Sequence, residues 1–64
     1  LNNMEKNMEY AGIYLHAMRE LKATEDALKN NNFKEAYERC LNAQVEIRLL
    51  SSAITTWIPI SEKE

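Results

Sequence analysis

The chain has 64 residues, with eight basic and ten acidic side chains and a net charge of -2. That length allows one small domain. The acidic balance disfavours a large phosphate footprint, and no run approaches the roughly 20 apolar residues of a membrane span. With 45% hydrophobic and 28% charged residues, the composition is that of a folded chain rather than a disordered one. One Gly and one Pro are too few for the turns of a β protein, so an all-α fold is expected.

The chain opens Leu1-Asn2-Asn3 without an initiator Met, which fits a processed product or a piece of a longer protein. Asn2 followed by Glu5 has the spacing of an N-cap and its capping-box partner. From there the apolar pattern predicts a first helix over about 3–29. Met4, Met8, Ala11, Leu15 and Met18 form one heptad line, and Tyr10, Tyr14, Ala17, Leu21, Thr24 and Leu28 form a second about 120° away. Thr24-Glu25-Asp26 is a weaker candidate helix start, and the spacing runs through it without a slip.

Asn30-Asn31-Asn32 is the one convincing break. Asn tolerates left-handed backbone and caps helices, so the triplet ends one helix and starts the next. Asn32 and Glu35 repeat the capping-box spacing. The second helix is predicted over about 33–57, stopping near Trp57 because Pro59 disfavours helical geometry at Ile58. Its main stripe is Ala36, Cys40, Ala43, Ile47, Leu50, Ile54 and Trp57. A separate line, Leu41, Val45 and Leu49, runs on roughly the opposite side. Residues 59–64 read as a short tail.

Two long antiparallel helices therefore make a hairpin spanning 1–64. A hairpin gives each helix one partner face, and here each helix carries two apolar faces. Small scaffolds of this kind are completed by disulfides, metals or oligomerisation. Cys40 is alone, so a disulfide within the chain is excluded and a reducing, cytoplasmic setting is the simplest inference. Oligomerisation remains: a homodimer in which two hairpins pack as a four-helix bundle.

Candidate chemistry is sparse. His16 and Glu20 stand four apart and could share a metal or a proton, but Ile13 occupies the place of the Glu in a Glu-x-x-His motif, and a solvated pair is the better reading. Cys40, on the main stripe, reads as a buried structural thiol. One His and one Gly cannot build a Ser/His/Asp set or a phosphate loop. No enzyme activity, cofactor or metal is expected. The expected role is a protein-interaction or assembly module acting as a homo-oligomer, such as a small regulator or adaptor. Its candidate surface is Leu41, Val45, Leu49, Tyr10, Tyr14 and Leu21, with Tyr10, Tyr14 and Trp57 open to being core or interface. The alternative is a bundle that binds RNA or DNA through basic residues of paired chains. Arg39, Arg48, Lys22, Lys29 and Lys34 supply these, interleaved with Glu25, Asp26, Glu35 and Glu38.

Lys29 to Glu38, followed by Ala43, resembles the turn and second helix of a tetratricopeptide repeat, with Phe33, Ala36 and Ala43 at that family's packing positions. The resemblance covers about 15 residues, and Glu20, Thr24 and Arg48 depart from the pattern. It reads as a shared way of packing a helical hairpin and implies no function.

Overall fold

The structure is a computed structural model that describes residues 2–59 and 62, with side chains from residue 10 onward. Two helices pack against each other as a hairpin: α1, Asn2–Lys29, and α2, Phe33–Trp57. α1 runs unbroken through Thr24. It already includes Asn2, so that residue does not stand before the helix as its cap. Of the expected tail, Ile60, Ser61, Lys63 and Glu64 lie outside the described residues.

The three asparagines divide the reversal between them. Asn31 adopts φ 58°, the left-handed conformation that closes a helix. The Asn32 N–H then donates to the Ala27 carbonyl at 2.8 Å and the Asn31 N–H to the Leu28 carbonyl at 3.1 Å, the paired bonds of a Schellman motif. The Asn30 side-chain amide donates to the Asp26 carbonyl at 2.9 Å. Asn32 caps α2: its Oδ1 accepts from the Glu35 N–H at 3.4 Å, and its Nδ2 donates to Glu35 Oε1 at 3.1 Å. The Glu35 carboxylate meets the Asn32 side chain because the Asn32 N–H is already committed to α1. At the far end Ile58 is extended (φ -77°, ψ 126°), as a residue before proline must be.

The contact between the helices corrects the seam expected from the heptads. The buried side chains are Ala17 and Ala27 of α1 and Ala36 and Ala43 of α2. Ile13, Glu20 and Thr24 flank the first pair, and Arg39, Glu46, Leu50, Ala53 and Trp57 flank the second, all half-buried. The expected lines split: Ala17, Thr24, Ala36, Ala43, Leu50 and Trp57 lie at the contact, whereas Leu15, Met18, Leu21, Leu28, Ile47 and Ile54 are each about half exposed. Cys40, expected to be buried, is exposed. The physical reason is size: alanines let two helices approach closely, whereas larger side chains at the same line would hold them apart. Of the tetratricopeptide-like packing positions, Ala36 and Ala43 are buried and Phe33 is 63% exposed. Thr24 fits the seam because its hydroxyl donates to the Glu20 carbonyl at 2.8 Å, leaving no unpaired polar group there.

The Cα trace measures 46 × 26 × 12 Å. The short dimension is about one helix diameter, so the hairpin is a single layer. No helix among the described residues is long and apolar enough to cross a membrane.

Two predictions follow from the backbone. Asn31→Ala should destabilise the hairpin by about 1 kcal/mol, while Asn31→Gly does not destabilise it by more than a few tenths, because alanine keeps the Cβ that crowds the left-handed turn and lacks the polar side chain that lets Asn tolerate it. Gly12 is helical, and a Cβ added there would meet nothing within 4 Å. Gly12→Ala should therefore stabilise by about 0.5–1 kcal/mol. Urea denaturation followed by circular dichroism reads both.

Candidate interaction surface

A single layer of two helices has two broad faces and two outer edges, and the sequence distributes its chemistry unequally among them. At 100° per residue, Tyr10, Tyr14, Leu21 and Leu28 fall on one flank of the α1 contact line. Cys40, Ile47 and Ile54 fall on the matching flank of α2. Because the helices are antiparallel, these flanks make one continuous face. Its upper part is a recess of about 360 Å³ lined by Tyr10, Tyr14, Leu50, Ile54 and Trp57. The Tyr10 and Trp57 rings meet edge to face, with centroids 6.3 Å apart and planes at 65°, a favoured aromatic geometry.

The opposite face is polar. His16, Arg19 and Glu20 of α1 meet Glu46 of α2 around a recess of about 200 Å³. Toward the turn, Asn32, Lys34, Glu35, Glu38, Arg39 and Asn42 line a second recess of about 400 Å³. Glu20 is the link between the helices: its Oε1 accepts from Arg39 Nη1 at 3.4 Å and from Asn42 Nδ2 at 3.5 Å. The Glu20 side chain is 25% exposed, against 42% for Arg39, whose Nε also lies 3.7 Å from Glu35. Glu20 thus turns to the second helix. Among the described residues, no group of three His, Cys, Asp or Glu side chains is placed to hold a metal ion.

Lys22 and Lys29, near the turn, are engaged by neighbouring carboxylates. Lys22 Nζ lies 3.2 Å from Asp26 and 3.3 Å from Glu25, and Lys29 Nζ lies 3.7 Å from Glu25. The Lys22 ammonium is held above its usual range, chiefly by its hydrogen bond to Asp26 and then by that to Glu25.

The six residues singled out from sequence do not form one surface. Tyr10, Tyr14 and Leu21 lie on the apolar face. Leu41 points away from α1, and Val45 and Leu49 continue from that outer edge toward the polar face, at 40%, 54% and 52% exposure. Leu28, Ile47 and Ile54, which share the heptad lines of Tyr14 and Cys40, also lie on the apolar face. The signal that separates the two roles is the run of alanines: a heptad line containing Ala17, Ala36 and Ala43 beside lines of Leu, Ile and Tyr marks the close contact, and the larger side chains mark its flank.

The accessible surface is 5315 Å². A compact chain of 7.5 kDa exposes about 4,200 Å². The excess, on the order of 1,000 Å², reflects the extended two-helix shape of the whole chain.

Comparison with protein-family models, curated proteins and solved structures finds no match to this chain.

The Glu20–Arg39 pair is partly exposed, so a double-mutant cycle with Glu20→Gln and Arg39→Met should return a coupling of about 0.5 kcal/mol. The coupling should shrink in 1 M salt.

Proposed function

We propose that the chain is a non-enzymatic protein-interaction or assembly module that works as a homo-oligomer, in the manner of a small regulator or adaptor. Its apolar face packs on that of a second copy, and the two hairpins complete a four-helix bundle. One observation carries this reading. The hairpin is one helix thick, yet Tyr10, Tyr14, Leu21, Leu28, Ile47 and Ile54 present 37–50% of their surface on or beside a single face. Domains gain a core by packing two layers, and this chain supplies one layer with a face suited to a second. Its contiguous apolar flank is of the kind that marks docking surfaces.

The competing reading, a bundle that binds RNA or DNA through paired basic residues, draws less support. Of the five basic residues it would use, Lys22, Lys29, Lys34, Arg39 and Arg48, three (Lys22, Lys29 and Arg39) lie within 3.7 Å of carboxylates, and the net charge is -2. A phosphate footprint would need those cations released.

Light scattering after size exclusion tests the proposal. The expected mass is about 15 kDa, twice the 7.5 kDa of one chain. Ile47→Asp, which places a charge in the middle of the face, should weaken association at least about 30-fold, as loss of a central contact worth about 2 kcal/mol does. A helical, stably folded wild-type chain of 7.5 kDa at micromolar concentration would contradict the proposal.

A further inference from the structure

We infer that the last two turns of α2, Ser51 to Trp57, form a strap that lifts from α1 as a unit while the half of the hairpin nearer the turn stays folded. Every contact involved lies within one hairpin, so the strap is independent of the self-association proposed above.

The two halves of the hairpin are held differently. The buried side chains, Ala17, Ala27, Ala36 and Ala43, all lie between the turn and the level of Ala17. So do the hydrogen bonds that join Glu20 to Arg39 and Asn42 across the helices. The Schellman closure and the Asn32 cap add to the same half. Beyond that level no side chain among the described residues is buried. The half-buried ones there are Ile13, Glu46, Leu50, Ala53 and Trp57, and Trp57 meets Tyr10 edge to face. Segments with few buried apolar contacts are the ones that open below the free energy of global unfolding.

The strap is also a weak helix by composition. In Ser51-Ser52-Ala53-Ile54-Thr55-Thr56-Trp57 only Ala53 is a strong helix former. The Ser51, Thr55 and Thr56 hydroxyls donate to the carbonyls of Arg48, Ser51 and Ala53 at 3.0, 2.9 and 2.7 Å. Such bonds give helical carbonyls a second donor and slightly weaken the ladder. The two helix ends differ as well. α1 ends on Lys29 and a Schellman closure, whereas α2 has no basic residue in its last turn. Its dipole is therefore uncompensated there, and the Ile58 N–H reaches the Thr55 carbonyl only at 3.4 Å.

The anchor of the strap is Trp57. Ile54 and Trp57 line one recess with Tyr10 and Tyr14, so lifting the strap frees both tyrosines from them. The strap is a cover over part of the apolar surface of α1, and its opening enlarges that surface without unfolding the turn.

Amide hydrogen exchange followed by NMR at several urea concentrations tests this. The amides of Ala53, Ile54 and Thr55 are expected to share one protection factor, at least about tenfold below those of Cys40, Ala43 and Ile47. Their opening should depend less on urea, because it exposes less surface than global unfolding. Ser52→Ala combined with Thr56→Ala, at two exposed positions, should raise protection of the strap amides several-fold and leave residues 40–47 unchanged. Equal protection along α2 with one urea slope would overturn the strap. So would protection that rises residue by residue from Trp57, which is ordinary end fraying, or a double variant that shifts all of α2 equally.

Discussion

The contact between the two helices is made of alanine, and much of the rest of the structure depends on that choice. Ala17, Ala27, Ala36 and Ala43 are the buried apolar side chains among the described residues, at 2–5% exposure. Alanine loses no side-chain entropy on burial and is the best helix former. It also removes little apolar surface from water, and a full Leu, Ile or Phe side chain contributes roughly 1.5–3 kcal/mol when buried. The chain brings its helices together closely on a narrow seam and leaves its larger apolar side chains beside that seam. A close-packed hairpin with a weak core and a large apolar flank is the consequence. The flank is the part of the molecule with most stability left to gain, and gaining it requires a second layer.

Polar interactions fix the hairpin without adding a core. The Schellman closure at Asn31 and the reciprocal cap between Asn32 and Glu35 set the direction of the reversal within three residues. Glu20, reached by Arg39 and Asn42, ties the helices together on the face away from the apolar flank. Such partly exposed pairs contribute little to stability, but they place charge on one side of the layer. The two faces are thereby distinguished, and the apolar one is left uncovered in the hairpin.

Local features of the fold were legible in the sequence, and the rotational phase of the helices was not. Both helix spans, the turn at the asparagines and the stop before Pro59 rest on capping and backbone preferences of a few neighbouring residues. The structure reproduces the spans to within one residue. The seam is a tertiary choice between parallel heptad lines on the same helix. Cys40 was expected to be buried on the main stripe that it shares with Ile47 and Ile54. In a hairpin closed by alanines they belong to its flank. Of the candidate surface residues, Tyr10, Tyr14 and Leu21 share the apolar face, and Leu41, Val45 and Leu49 run along another edge. Periodicity shows that a side chain shares a line with others, but the size of its neighbours decides whether that line closes the hairpin or flanks it.

The central claim is that this layer is stabilised by pairing across its apolar flank, so folding and association are coupled. Thermal unfolding followed by circular dichroism over a hundredfold range of chain concentration tests this most directly, since a fold stabilised by a partner melts at a temperature that rises with concentration. The account predicts a melting temperature that climbs steadily with concentration. A melting temperature that stays constant over that range, with full helicity retained at the lowest concentration, would contradict it.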